Sequence, residues 1–315
     1  FVASHLIDYI LSNEPNVTIH GTVRRGTNTD NIRHSIDQIH THDVELTDFF
    51  SVEKAIKKID PDRIFHMGAQ SYVPASWNGP KTTMEVNVCG TLNILEACKD
   101  CCGRGIIISG SSEEYGMVFP IECPINESQP LRPLSPYGVS KVAADKLGYQ
   151  YANSYDMNVL VTRAFNMTGP RRGEMFVDSN FAKQIVSLEK TTGMKEIYHG
   201  NLDAIRDFTD VRDSVRAFWY LSNKKWNGQA VNVCTGEGHR IEDVLNTLIS
   251  LSPIRGEVSC VLDPKRNRPS DVPRLIGSNK KLKSIIDWDP TYRWEDSLKD
   301  LLNYWRFRSD VKNVF

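Results

Sequence analysis

The stretch Ile106-Ile107-Ile108-Ser109-Gly110-Ser111 decides the fold. An unbroken apolar run closed by small hydroxyl residues and a glycine reads as a strand buried on both faces, with its polar carboxyl end open to a ligand. In open α/β sheets, ligands collect at those strand ends. A second segment, Ser135-Pro136-Tyr137-Gly138-Val139-Ser140-Lys141, follows. Pro136 suits a helix start, and on that helix Tyr137 and Lys141 share one face. A fixed cation beside a phenol favours the phenolate, so Tyr137 is expected to exchange protons below its free pKa. With Ser111 on the same substrate oxygen, the trio suits proton exchange at a carbinol or ketone while a nicotinamide exchanges hydride. Tyr-x-x-x-Lys spacing alone is a weak signal; the strand end in front of it supplies the context.

Outward from these segments, strand and helix patterns alternate. A helix is predicted over Phe1 to Leu11, a strand over Val17 to Val23, and a short strand over Asp43 to Leu46. Further helices are expected at Ser51 to Lys58, Asn87 to Lys99 and Tyr137 to Tyr155, and strands at Arg63 to Met67 and Asn158 to Arg163. The alternation predicts a Rossmann-type, doubly wound parallel sheet. Asp207 to Asp213 reads as a return to that sheet, Ala230 to Cys234 as another strand, and Gly236 to Leu251 as a loop and helix. The expected division is a dinucleotide-binding domain over 1–165, rejoined by 207–235, and a smaller mixed α/β substrate lobe over 166–315. Such a sheet normally opens with an apolar strand and a Gly-rich turn that lets the backbone approach a pyrophosphate. These residues open instead on Phe1-Val2-Ala3-Ser4-His5-Leu6, which resembles the helix after that turn. The strand and turn are expected to precede Phe1 in a longer chain.

Composition narrows the classes. With 315 residues, 40% hydrophobic, the chain can bury a large core. A formal net charge of −1 gives no bulk attraction to nucleic acid or anionic membrane. No apolar stretch approaches the roughly 20 residues that span a bilayer, and the start carries no signal-peptide pattern. Seven cysteines in no regular framework fit a reducing compartment, read here as the cytoplasm. Cys98-Lys99-Asp100-Cys101 is a CxxC, but no second Cys or His pair stands at zinc-site spacing, so no metal is expected.

Several further segments carry a resemblance. They are Gly68-Ala69-Gln70-Ser71-Tyr72-Val73, Asn87-Val88-Cys89-Gly90-Thr91, Arg163-Ala164-Phe165-Asn166-Met167-Thr168-Gly169-Pro170-Arg171-Arg172-Gly173-Glu174, Gly200-Asn201-Leu202-Asp203-Ala204-Ile205-Arg206-Asp207, and Arg268-Pro269-Ser270-Asp271-Val272-Pro273. With the two segments above, they make the chain resemble the extended short-chain dehydrogenase/reductase superfamily. Within it, the chain resembles the GDP-mannose 4,6-dehydratases and the neighbouring GDP-4-keto-6-deoxymannose reductases.

The resemblance implies Ser111, Glu113, Tyr137 and Lys141 as catalytic residues. Glu113 matches the glutamate that removes the C5 proton during water elimination, and i, i+2 spacing on a strand would put it on one face with Ser111. Glu114 is expected to face away. For the cofactor, Arg24 and Arg25 stand after the second expected strand, where an acidic residue would read a ribose 2′-hydroxyl and arginine suits a 2′-phosphate; this favours NADP. Glu45 and Leu46 resemble the pair flanking the adenine. Gly68, Ala69, Gln70 and Ser71 resemble the loop along the cofactor, and Arg172 a cofactor-contacting arginine. Met167 stands where the dehydratases often have histidine. For a GDP-sugar substrate, Arg206, Arg268 and Lys183 are the expected diphosphate cations, Asn166 lies near the diphosphate, and Asp271 could accept from guanine. The expectation is an NADP-dependent dehydratase; the alternatives are an NADPH-dependent 4-ketoreductase and, more remotely, a non-catalytic nucleotide-binding protein. Relatives pair through the Asn87–Lys99 and Tyr137–Tyr155 helices, which implies a homodimer or homotetramer.

Overall fold

A computed structural model describes residues 1–100, 105–266 and 272–312, with side chains described to residue 308. In chain order, helix α1 (Val2–Asn13) leads to strands β1 (His20–Val23) and β2 (His40–Asp43), then α2 (Phe49–Ile59) and β3 (Arg63–His66). Short helices α3 (Val73–Asn78) and α4 (Pro80–Met84) precede α5 (Gly90–Cys98), β4 (Gly105–Ser109), α6 (Pro136–Tyr155) and β5 (Asn158–Ala164). There follow β6 (Asn166–Thr168), α7 (Val177–Glu189), β7 (Lys195–His199), β8 (Ile205–Asp210), α8 (Val211–Ser222), β9 (Ala230–Val233), β10 (Gly238–Arg240) and α9 (Ile241–Ser250). The chain closes with β11 (Val258–Leu262), β12 (Arg274–Leu275), α10 (Lys280–Ile285) and α11 (Trp294–Lys312).

The central sheet runs β3-β4-β5-β9, every neighbour parallel. The middle strands β4 and β5 are apolar through their centres because both faces are covered. Ile106 and Ile108 pack with Val52, Ile56 and Leu95 from α2 and α5 and with Ala144 of α6, while Ile107 packs with Leu6, Val215 and Phe218 from α1 and α8. Val159 and Val161 against Leu160 repeat the alternation one strand over. This is the doubly wound layering expected from the sequence. Strands β1 and β2 form their own parallel pair.

Local chemistry sets the helix ends. The Asp48 carboxylate accepts the Phe50 amide (3.0 Å) to start α2, which ends at Asp60 with φ 53°. Ser135 Oγ accepts the Gly138 amide (3.0 Å) and Pro136 fills the first turn of α6.

Three expectations are corrected. The strand expected at Asp43–Leu46 ends at Asp43, because Glu45 turns back to accept the amide and hydroxyl of Thr47. The helix expected from Asn87 is interrupted by a π-helical turn, Glu85–Cys89, before α5. The strand expected to rejoin the central sheet after Asp207 belongs to a second sheet, in which β8 pairs with β6, β10 and β12. The buried Asp207 carboxylate accepts the amides of Thr235 and Gly236, just after β9, and of Gly277, just after β12, which fixes β8 where the two sheets meet. Only α8 and β9 return. Helices α7, α9 and α11 bury Phe181, Ile185, Leu245, Leu298 and Leu302 together with Phe208 of β8. Among the described residues, no helix is long and apolar enough to cross a membrane.

Candidate active site

A cleft of about 1980 Å³ lies along the carboxyl ends of β3, β4 and β5 and extends to the second sheet; Ser111, Glu113, Tyr137, Lys141, Asn166, Arg172 and Arg206 line it. Ser111 leaves β4 still extended and caps a single helical turn, Ser112–Glu114. Its Oγ accepts the Glu113 amide at 3.2 Å, and the Glu114 carboxylate reaches back to the Ser111 amide at 2.8 Å. Glu113 therefore sits on a helical turn rather than on a strand in phase with Ser111. The half-buried Glu113 side chain still reaches the cleft, while Glu114 is fully buried beneath it. The turn closes at Gly116, where φ is 57° and a Cβ would stand 1.9 Å from the Arg132 carbonyl oxygen.

Tyr137 and Lys141 are both buried on the first turns of α6, with Lys141 Nζ 5.8 Å from the Tyr137 ring centroid. That ammonium donates to the Ser109 carbonyl oxygen at 2.7 Å. Burial pushes the Tyr137 hydroxyl above its usual pKa, opposed by the Ser111 hydroxyl hydrogen bond and by Arg172. Burial brings Lys141 down to about 8, with Glu114 working against the fall. The lowered phenol expected from the sequence is thus not met in the protein alone. Both groups are buried, and lost hydration outweighs their partners. The result is a protonated phenol beside a cation that holds its charge to about pH 8.

Supporting groups fix this geometry. Asn87, on the π-helical turn, accepts the Gln70 amide (2.8 Å) and donates to the Gln70 carbonyl (3.0 Å) and to Ser140 Oγ (2.9 Å). It ties the loop after β3 to the helix bearing Tyr137. His66 accompanies Lys141; its Nε2 meets Thr91 Oγ1 at 3.0 Å, and burial, then Lys141, lowers it to about 3, so the ring is neutral. Neither residue was singled out for the site from sequence. Asn87 stood within a segment of the resemblance, whereas His66 carried no signal.

The expected binding residues divide. Leu46, Gly68, Ala69 and Ser71 line the cleft, and a Cβ on Gly68 would stand 2.6 Å from the Leu46 side chain. Gln70 instead braces its own loop: its side chain donates to Thr83 Oγ1 and accepts the Tyr72 amide. Glu45 is held by Thr47. Arg24 and Arg25 are exposed just beyond β1, beside Thr27 to Thr29 at the cleft edge. Arg172 donates to Asp178 at 2.9 Å and lies 4.2 Å over the Phe176 ring. Asn166, Met167 and Arg206 reach the cleft. Lys183 does not join them; it pairs with Glu174 on the surface and sits 5.6 Å from the Trp305 ring. Arg268, Asp271 and Cys101 lie outside the described residues.

A parallel sheet wrapped on both faces, a serine at a strand end and a Tyr-x-x-x-Lys helix over the same cleft define a short-chain dehydrogenase/reductase. The family model for GDP-mannose 4,6 dehydratase matches residues 1–301. The chain belongs to the GDP-mannose 4,6-dehydratase family. It is 34% identical over 250 residues to the GDP-6-deoxy-D-mannose reductase of Pseudomonas aeruginosa, covering 79% of this chain and 81% of that one. It is 30% identical over 342 residues to the GDP-mannose 4,6-dehydratase of Yersinia enterocolitica, covering 95% and 89%. The solved structure of RMD from Pseudomonas aeruginosa complexed with NADPH superposes with a TM-score of 0.82 at 28% identity, covering 98% of this chain and 96% of that one.

Proposed function

We propose that the protein is an NADP-dependent GDP-mannose 4,6-dehydratase that forms GDP-4-keto-6-deoxymannose. The observation that carries this reading is Glu113, a carboxylate lining the cleft one turn from Ser111 and close enough to Tyr137 to raise its pKa. A ketoreductase needs only the serine, tyrosine and lysine; elimination needs a further base.

The cleft suits a dinucleotide. Gly68 keeps one wall free of a side chain, Arg172 offers a guanidinium at the other, and exposed Arg24 and Arg25 stand where a ribose phosphate would be read. The complex of the Pseudomonas aeruginosa relative with NADPH supports the phosphorylated form. Bound there, the cofactor supplies hydride acceptance and return.

The chain's own residues handle the protons. With the cofactor bound, Tyr137, backed by Lys141, would act as the phenolate and take the C4 hydroxyl proton while Ser111 holds that oxygen. Once C4 is a ketone, the C5 hydrogen is acidic. Glu113 removes it and passes the proton to the departing C6 hydroxyl, which leaves as water. As C6 is reduced, Tyr137 would return the proton it holds to C5, completing the 4-keto-6-deoxy sugar. Asn166 and Arg206 suit the substrate diphosphate.

The reductase reading keeps one specific support, the 34% identity to the Pseudomonas aeruginosa reductase. One experiment separates the two. Protein given GDP-mannose and trace NADP⁺ should accumulate the 4-keto-6-deoxy sugar with no net cofactor consumption. Consumption of NADPH only when the keto sugar is supplied would establish the reductase instead. Self-association is part of the same reading: α6 leaves Val139, Tyr149 and Tyr155 on the surface, which supports pairing of copies along that helix.

A further inference from the structure

The turn after β6 sends two neighbouring arginines in opposite directions. Gly169 has φ 126° and Arg171 φ 68°, so the chain reverses sharply after Thr168. Arg171 turns away from the cleft; its guanidinium meets Asp8 and His5 of α1 and donates to the Asn31 carbonyl oxygen at 3.3 Å. Arg172 turns inward and lines the cleft. Its Nε donates to one oxygen of Asp178 at 2.9 Å, and its guanidinium lies over the rings of Phe176, at 4.2 Å, and Phe1, at 5.5 Å. Among the described residues, no hydrogen-bond partner meets its two terminal amino nitrogens. Asp178, in the first turn of α7, is fully buried and stands outside the cleft lining. Its second oxygen accepts the Thr168 hydroxyl at 2.7 Å, which ties it to the end of β6. The backbone of Arg172 is held as well: its carbonyl oxygen accepts the Ser179 hydroxyl at 2.8 Å, and Ser179 accepts Trp305 Nε1 of α11 at 2.9 Å.

We propose that Asp178 is a positioning residue for Arg172: by taking up Nε, it aims the two terminal amino groups of that arginine into the cleft, at a phosphate of the bound dinucleotide. A guanidinium carries five N–H donors in one rigid plane. Once Nε is fixed on a carboxylate and the plane rests on an aromatic ring, the remaining donors have one direction left, and their fork matches a phosphate. The site suits the carboxylate in turn. A helix start favours negative charge, and a buried carboxylate without a cation beside it is strongly disfavoured. Asp178 does not itself reach the cleft; it acts through Arg172. The inference rests on the cofactor reading of Arg172.

NADPH binding to the full chain, followed by fluorescence, tests it in Arg172→Ala, Asp178→Ala and the double variant. Each single variant should weaken NADPH about tenfold, the scale of one charge-assisted contact. The double variant should be no weaker than R172A, because without the guanidinium Asp178 has nothing to aim. In turnover, the loss in D178A should fall on KM for NADP⁺ more than on kcat. Asp178→Asn can keep both hydrogen bonds, its amide oxygen accepting Nε and its amino group donating to the Thr168 hydroxyl. It should bind NADPH within about threefold of the unsubstituted protein. Additive losses in the double variant would overturn the proposal, as would a D178N as weak as D178A, or an unchanged D178A beside a weakened R172A. An R172A that binds NADPH normally would defeat the cofactor reading of Arg172, and the proposal with it. Should D178A not fold, Arg172→Lys takes its place. Lysine keeps the charge but cannot hold Asp178 and a phosphate together through one fork. R172K should bind as weakly as R172A; affinity within about twofold of the unsubstituted protein would show that a point charge suffices and that aiming is not needed.

Discussion

The two walls of the cleft are built by opposite means. On the central-sheet side, Ser111, Glu113, Tyr137 and Lys141 come from two short contiguous segments, each ordered by its own local cap. On the second-sheet side, Asn166 and Arg206 are brought together by pairing of β6 with β8, strands far apart in sequence. The first wall is local chemistry placed by a strand end and a helix start. The second depends on long-range pairing, with the Asp207 carboxylate bonding β8 to the turn after β9 and to Gly277 after β12. Groups that carry the reaction should therefore show large, separable effects on turnover, and groups on the second wall should act on binding.

The most severe test of that contrast is Tyr137→Phe, which deletes the proton-exchanging hydroxyl while keeping the buried ring. Its kcat should drop about a hundredfold to ten-thousandfold, the usual range for a lost general acid–base, with cofactor affinity retained. A loss of binding instead of turnover would erase the distinction between the walls. Glu113→Gln comes next. It should stop water elimination by about a hundredfold or more while oxidation at C4 persists, which product analysis by mass spectrometry would register. Full 4-keto-6-deoxy product from this variant would remove the base from its assigned role.

Across the cleft, Arg206→Ala should raise KM for the GDP-sugar about tenfold, as expected for one charge-assisted contact, and change kcat much less. A kcat-dominated loss would place Arg206 with the reacting groups. Acid sharpens the comparison in another way. His5, on α1, is lowered to about 4, first by burial and then by Arg171, and His66, on β3, to about 3, so both stay neutral in the native protein. As pH falls below about 6.5, the unfolded chain binds protons that the native state refuses, and stability is lost progressively toward pH 4. Hydrogen exchange over that window should show protection failing first in α1 and β3. Uniform loss over both sheets would contradict this. The smallest effect belongs to Lys183→Ala, an exposed ion pair off the cleft, which should leave KM within about twofold.

How much could be read in advance follows the same division. The parallel sheet was legible because Ile106-Ile107-Ile108 and Val159-Leu160-Val161 are apolar at every position, a pattern that only two covered faces demand. Tyr137 and Lys141 were legible because a helix start and i, i+4 spacing place them together without outside help. Lys183 pairs with Glu174 off the cleft, because a sequence position near a motif says nothing about where a long side chain points. Asn87 and His66 were passed over because their work is done by contacts across elements, to Gln70, Ser140 and Thr91.

Sequence alone determined the layered architecture, the pairing of phenol and ammonium on one helix face, and membership in a nucleotide-sugar family. The first two follow from periodicity and spacing, which act over a few residues; the third is what the resemblance of whole segments implies. Tertiary structure decided that Glu113 rides a helical turn, that Glu114 lies buried against Gly110 and Arg163, and that β8 joins the second sheet. Those outcomes depend on desolvation and on hydrogen bonds between distant segments, and neither quantity exists until the chain has closed on itself.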